Sequence, residues 1–388
     1  MKLVNKKILL ISPERWGVNR LSKHHYAEIL AKRGNQVYFL NPPTKGLLRI
    51  TISATNINGL ELIDYSPFLK GLNRFVRIPW LFNKLCACDT NRIKKLLPTL
   101  DIIWSFDPFR FQLPNLLGAP LFIFHPVDYF QSTIDQIVAK NASVIFSVSQ
   151  FILDRYKGIP TPSFFINHGV GSIYLNQSNV TEEKQDSNIR CGYIGNMLSF
   201  GIHWSNLLTI VRTNSAVEFH FIGPYTINNL GDAKEENPSL IELKQCPNTL
   251  FYGELSPPEI SKKIKLFDLF LICYDPEIVG PVTSNTHKIL EYLSTGKVVV
   301  SSRISTYDNL ANGLFSMVRS SIELPTKFSE VVAKISAYNT PELQQKRKSF
   351  AHLNSYENHI LEIEKILTEL TDNKINQSKS TLSSEGSG

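Results

Sequence analysis

No apolar run in this 388-residue chain approaches the ~20 residues that span a bilayer, so the sequence predicts no transmembrane helix. No Asp-x-Asp pair follows a strand-like run, and no metal is expected. Cysteine is scarce: Cys86, Cys88, Cys191, Cys246 and Cys273 are an odd set without metal-site spacing. Cys86 and Cys88 lie too close together for a zinc pair and have no second pair nearby, so reduced thiols in the cytoplasm are the expectation. No internal repeat of short period is visible, and no nucleic-acid-binding motif accompanies the basic residues. The opening Met1-Lys-Leu-Val-Asn-Lys-Lys7 leads only into the short run Ile8–Ile11 and then Ser12-Pro13. That pattern reads as a first strand, not a cleaved leader.

What is present fits a globular protein with two cores: 43% hydrophobic and 19% charged residues. The net charge of +7 is unevenly placed. Residues 1–180 hold 21 Lys/Arg against 10 Asp/Glu, and the remainder holds 20 against 24. Much of the excess falls in Tyr65–Leu97, where Lys70, Arg74, Arg77, Lys84, Arg92, Lys94 and Lys95 face Asp89 alone. Phe68, Leu69, Phe75, Ile78, Trp80 and Phe82 are interleaved with them. Two readings stay open: contact with an anionic membrane surface, or a core helix with a solvated basic face.

Strand-like and helix-like segments alternate twice along the chain. Lys7–Ser12, Gln36–Leu40, Ile102–Phe106, Leu121–His125, Val144–Val148 and Ser163–Ile166 read as strands, with a helix over Ser22–Arg33 closed by Gly34. Polar Asn176–Ser187 reads as a linker. Alternation then restarts with Arg190–Ile194, Val217–Ile222, Leu250–Tyr252, Leu269–Tyr274 and Lys297–Ser301. The fold class is therefore α/β, two tandem doubly wound, Rossmann-like domains facing across a cleft where strand C-terminal ends bind ligands. The expected divisions are 1–178 (acceptor side) and 188–345 (donor side). A helix over 346–370 is expected to pack back toward the first domain, followed by a disordered tail at 371–388.

The most informative stretch is Thr286-His-Lys-Ile-Leu-Glu-Tyr-Leu-Ser-Thr-Gly-Lys-Val-Val-Val-Ser-Ser302. It predicts an amphipathic helix with Ser284 as N-cap, ended by Gly296 and followed by the buried strand Val298–Val300. Lys288 and Glu291 sit one turn apart. Beside a helix N-terminus, Lys288 and free amides suit a diphosphate and Glu291 suits ribose hydroxyls, as in a bound sugar nucleotide. The competing reading is a solvated surface ion pair. About ninety residues earlier, Cys191-Gly-Tyr-Ile-Gly-Asn-Met197 places Gly192 and Gly195 where a strand turns toward a helix. Lacking Cβ, they let amides approach an anion, and Asn196 adds a donor.

Taken together, these segments resemble GT-B glycosyltransferases, and are similar to family 4 enzymes of bacterial surface-polysaccharide synthesis over roughly residues 5–370. The residues behind the resemblance are the Glu291-Tyr-Leu-x-x-Gly-Lys-x-Val-Val segment, the Gly192–Gly195 turn, Ser22–Gly34, Asn167-His-Gly-Val170 and Gly253-Glu-Leu-Ser256. The resemblance implies a donor site made by Glu291, Lys288, His287, Thr286, Ser284, Gly195, Asn196 and Gly192. The donor substrate is a nucleotide-diphosphate sugar with no cofactor. Two departures stand out: Thr283 occupies the position of a second glutamate eight residues before Glu291, and Gly223–Asn229 lacks the usual Arg and Lys.

Transfer to an acceptor hydroxyl calls for a base in the first domain. Asp128 in Phe124-His-Pro-Val-Asp128 is the first candidate, with His125 as orienter or alternative base, and Asp107 in Trp104-Ser-Phe-Asp107 is a further candidate. Each equally fits a loop cap or a buried histidine. Trp16, Gly17, His24 and His25 are candidates for the acceptor side, and Asp275 and Glu277 for contact with the sugar. The expected activity is hexosyl transfer from a nucleotide sugar to a glycan or lipid-linked acceptor, in the cytoplasm at the inner face of the membrane. Residues 65–97 would touch the membrane, and no nucleic acid is involved. The alternatives are a sugar-nucleotide epimerase of the same fold and a catalytically degenerate scaffold.

Overall fold

The computed structural model describes residues 1–385 apart from 18–19, 45, 47–48, 70, 76–77, 112–116, 131–132, 176–187, 227–236, 280–284 and 310–312. The side chains of 72, 73, 79, 276 and 374–385 also lie outside the description, as does the expected linker Asn176–Ser187. The chain forms two units, Met1–Asn167 with Tyr356 onward, and His168–Ser355.

The first unit is built on eight strands: β1 (Lys7–Ile11), β2 (Gln36–Leu40), β3 (Ile50–Ala54), β4 (Leu60–Tyr65), β5 (Ile102–Ser105), β6 (Leu121–Phe124), β7 (Val144–Ser147) and β8 (Ser163–Phe165). Their order is β3-β4-β2-β1-β5-β6-β7-β8, with every pair parallel except the β3–β4 hairpin. Side chains alternate between two buried faces. Ile8, Leu10, Val37 and Phe39 enter one core, and Leu9, Ile11, Tyr38 and Leu40 the other. This two-sided burial is why β1 and β2 read as unbroken apolar runs. The hairpin went unpredicted because β3 is half-exposed and carries no such run.

The second unit has six parallel strands: β9 (Ile189–Ile194), β10 (Val217–Ile222), β11 (Thr249–Phe251), β12 (Leu269–Ile272), β13 (Val298–Ser301) and β14 (Ser316–Met317), in the order β11-β10-β9-β12-β13-β14. Val298, Val299 and Val300 are fully buried, each worth about 1.5–3 kcal/mol of burial.

The unit edges fall at 167/168 and 355/356, where the sequence suggests 178, 188 and 345. Packing explains the difference. Val170 N–H donates to Asn354 O at 2.9 Å, and Val170 and Tyr174 join the core of the second sheet. The helix Pro341–Leu353 stays with that unit through Arg347, which is 2% exposed and donates to the carbonyls of Leu314 (2.6 Å), Gly296 (3.0 Å) and Tyr338 (2.8 Å). Burial draws the Arg347 pKa down to about 10.

The last helix, Tyr356–Glu385, returns to the first unit, where Tyr356 Oη donates to Ser22 Oγ (3.1 Å) and Arg33 pairs with Glu364 (2.6 Å). It runs past Leu370 into the stretch that composition marks as disordered, since no Pro or Gly interrupts it before Gly386. Among the described residues, no helix is long and apolar enough to cross a membrane.

Candidate functional site

Each sheet has one point where chain order reverses, β9/β12 in the second unit and β1/β5 in the first, and ligands of doubly wound sheets bind beyond the strand ends there. Gly195 and Asn196 follow β9 and the helix Lys288–Leu293 follows β12, whereas in the first unit Asp107 follows β5 and His125 and Asp128 follow the neighbouring β6.

In the second unit, β9 and β12 pair only as far as Gly192 with Phe270. Gly195 N–H turns toward β10, donating to Ile222 O at 2.9 Å, so Ile194 presents its own N–H and C=O on the β12 side, beyond the end of that ladder. Tyr292, 1% exposed on the helix Lys288–Leu293, fills the gap. Its hydroxyl accepts from Ile194 N at 2.9 Å and donates to Ile194 O at 3.3 Å, and its ring stacks on Phe270 at 4.2 Å. One hydroxyl thus ties the two predicted donor segments together. The sequence reading gave Tyr292 no role of its own.

The helix starts later than expected, with His287 at its N-cap. Ser284 and Thr283 lie outside the described residues. Glu291 is held from two sides, by Lys288 Nζ at 3.0 Å and His287 Nε2 at 3.8 Å, and its side chain is 12% exposed against 20% for that of Lys288. Thr286 Oγ1 accepts from Lys288 N at 3.4 Å and bonds the Tyr274 side chain. Tyr174 lies close enough for the Glu291 charge to help burial raise its pKa. The His168 ring meets that of His287 edge-on at 6.0 Å. Helix termination follows the sequence: Gly296 has φ +82°.

The glycine turn needs correction. Gly192 sits inside β9, and a Cβ there would fall against the Phe267 ring, so this glycine makes room for packing and is not part of the turn. The turn's amides are largely committed within the unit: Gly195 N to Ile222 O (2.9 Å), Met197 N to Pro224 O (2.9 Å), Leu198 N to Asn196 Oδ1 (2.9 Å) and Ser199 N to Asn196 O (3.1 Å). Asn196 stands exposed at its tip. The glycine that shapes this region is Gly223, at φ +133°, whose missing Cβ would overlap the Gly195 carbonyl. Its signal was the Ile-Gly-Pro ending of β10. Asp275 N–H donates to Gly201 O at 3.0 Å, and Asp275 Oδ1 accepts from Glu277 N at 3.0 Å.

In the first unit, Asp128 is exposed at its surface yet closely ringed by protein. Desolvation raises its pKa, with Lys23 opposing and Glu14 reinforcing the shift. Lys23 is 2% exposed on the helix Ser22–Lys32 and pairs with Glu14 from the loop after β1. Asp128, Lys23 and Glu14 form a charged trio whose last two members the sequence reading missed, because Lys23 reads as an ordinary helix-surface cation.

His24 is 1% exposed and serves the helix itself: Nδ1 accepts from Leu21 N at 3.0 Å and Nε2 donates to Arg15 O at 3.1 Å. Its ring packs against Trp16 (5.5 Å) and Phe39 (5.2 Å), and burial lowers its pKa to about 4. It is a buried cap, which corrects the acceptor-side assignment. His25 stacks on Tyr356 at 4.6 Å, Trp16 carries the Arg20 guanidinium 3.8 Å above its ring, and Gly17 is exposed.

His125 is 1% exposed within rings of Trp104, Phe106, Tyr26 and Phe146. Trp104 Nε1–H donates to its Nδ1 at 3.3 Å, which places the ring proton on Nε2 and makes His125 a donor, not a base. Asp107 is 5% exposed and fully engaged: Oδ1 accepts from Phe109 N (2.8 Å) and Arg110 N (3.3 Å), and Oδ2 pairs with Arg110 Nε (2.5 Å). Arg110 also donates to Asn41 O at 2.7 Å and to Ser12 O, clamping the ends of β1, β2 and β5. Asp107 is a turn anchor. A cavity of about 160 Å³ beside Arg110, lined by Tyr65, Leu69, Phe82 and Phe111, does not include Asp128.

No family model matches the sequence, and no curated protein matches it. Solved structures do match the fold. Sucrose-phosphate synthase from Thermosynechococcus elongatus superposes with TM-score 0.67 at 10% identity, covering 95% of this chain and 100% of that one. Anabaena HepE, solved in complex with UDP-glucose, gives 0.65 at 14% identity over 94% and 100%. A glycosyltransferase from Rickettsia africae gives 0.65 at 14% over 95% and 99%. These likenesses span nearly the whole chain, and the fold is that of GT-B: tandem Rossmann-like units with eight and six strands.

Proposed function

We propose that this chain is a glycosyltransferase that moves a sugar from a nucleoside-diphosphate donor to a glycan or lipid-linked acceptor of surface-polysaccharide synthesis, working at the cytoplasmic face of the membrane. The observation that carries the reading is the Lys288–Glu291 pair at the β9/β12 switch point, locked to the β9 turn by Tyr292, in a fold matched by HepE with UDP-glucose. Glu291 takes the ribose hydroxyls. Lys288, with Thr286, His287 and the Asn196 side chain, takes the diphosphate, which competes with Glu291 for the ammonium group. Because the turn amides are spent internally, these side chains carry more of the anion binding than the sequence implied.

Asp128 serves as the base on the acceptor side. The sugar C1–O bond to the diphosphate breaks, a bond from C1 to the acceptor oxygen forms, and Asp128 takes the hydroxyl proton. Its raised pKa suits that task. His125, with its proton on Nε2, serves as a hydrogen-bond donor. The deciding experiment is incubation with a panel of sugar nucleotides, with and without membrane extract, following release of nucleoside diphosphate. Extract-dependent release supports transfer, a changed free sugar nucleotide supports epimerisation, and stabilisation without turnover supports a scaffold.

A further inference from the structure

The basic-aromatic stretch separates in the structure into a buried set and an exposed set. The helix Pro79–Lys94 turns Phe82, Cys86, Asp89, Thr90 and Ile93 inward at helical spacing, all at most 5% exposed. That stripe fills the core role. It leaves Trp80 70% exposed at the first turn, and beside it in sequence Phe68 (51%), Ile78 (43%) and Leu69 (36%). An indole exposed to this degree has no role in the packing of its own helix.

The charges follow the same division. Asp89, the one acid between Tyr65 and Leu97, is buried, where it pairs with Arg92 (2.8 Å) and caps Phe68 N (2.9 Å). Exposed Arg74, Lys84 and Lys95 accompany the apolar residues, so among the described residues the outer face of this segment displays cations and no carboxylate of its own.

We infer that this face docks on an anionic phospholipid bilayer, with Trp80, Phe68 and Ile78 entering the interface and Arg74, Lys84 and Lys95 lying against the headgroups. The one-signed charge selects this occupant, because an apolar protein partner would not require cations without counter-charges, whereas a bilayer presents a continuous negative surface. The inference deepens the membrane location in the proposed function, and it is tested by binding alone, apart from sugar transfer.

The test is flotation of the full chain with phosphatidylcholine vesicles containing about 30 mol% phosphatidylglycerol, against phosphatidylcholine alone. Preferential flotation with the anionic vesicles, weakened by salt, is expected. Trp80→Ser should lower the bound fraction about tenfold, and Lys84→Glu or Lys95→Glu about fivefold each, with circular dichroism unchanged. Trp80→Phe should keep binding and lose the blue shift of tryptophan emission on vesicles. Equal flotation with both vesicle types, no flotation, or an unaltered Trp80→Ser variant overturns the inference. Self-association that disappears in Trp80→Ser, without vesicle binding, also overturns it. Sugar-nucleotide turnover is not read in this assay, so its failure removes the membrane location and leaves the proposed sugar transfer untouched.

Discussion

The Tyr292 hydroxyl bonds both backbone groups of Ile194, accepting from the amide at 2.9 Å and donating to the carbonyl at 3.3 Å. Both residues are buried, and the β9–β12 ladder has already ended at Gly192. Tyr292→Phe leaves a buried N–H and C=O unpaired and should cost about 1–3 kcal/mol. Urea unfolding of the full chain should show this, and Tyr292→Leu should cost more because the 4.2 Å stack on Phe270 is also lost. An unchanged midpoint for Tyr292→Phe would remove the argument.

Lys288→Ala should weaken binding of nucleoside diphosphates about tenfold or more, the worth of a charge-assisted hydrogen bond. Titration calorimetry measures this directly. The pair with Glu291 is largely buried, with side chains 20% and 12% exposed, so affinity is read on the folded fraction. If affinity and turnover match those of the parent, Lys288 is only a salt-bridge partner.

Asp128→Asn should reduce turnover by about 10²–10⁴-fold while leaving donor affinity intact. Asp107→Asn should act differently, because Asp107 is an anchor for Arg110. Its signature is a lowered unfolding midpoint with activity falling in proportion to the folded fraction. A kinetic profile that reverses these two assignments would exchange their roles.

His24 supplies a pH dependence. Its folded pKa of about 4 lies below the ordinary 6.5, so the neutral ring is favoured in the folded state. Its contribution is fully present above pH 6.5 and is lost as pH falls toward 4, on the order of 3 kcal/mol in total. Protonation places a proton on Nδ1 facing Leu21 N–H, beside Lys23 and Arg20, and breaks the cap. His24→Asn, which keeps an acceptor, should flatten the stability profile between those two pH values.

Gly192→Ala should destabilise the second unit by about 1–3 kcal/mol, because the new methyl meets the Phe267 ring inside a packed sheet. Thermal unfolding measures that effect. Donor affinity, corrected for folded fraction, should be unchanged, which separates a packing glycine from a ligand-binding one.

Most of the strands and both helices framing the candidate sites were legible in the sequence, for a physical reason. Strands buried on both faces, such as Val298–Ser301, must be continuously apolar, and the helix before them must end at a residue that tolerates φ near +82°, which is Gly296. The pairing of Lys288 with Glu291 was legible too, since three residues is one helical turn. The jobs of individual polar residues were not. Whether Asp107 or Asp128 is available depends on which has a guanidinium at hand, and Arg110 reaches only the former. Likewise, the burial of His24 and Lys23, the space that Phe267 claims at Gly192, and the Tyr292–Ile194 bonds arise from contacts between segments distant in the chain. Local periodicity determined the α/β alternation and the placement of the candidate segments. Only tertiary packing decided which side chains are anchored and which remain available, because availability depends on neighbours that lie far away in sequence.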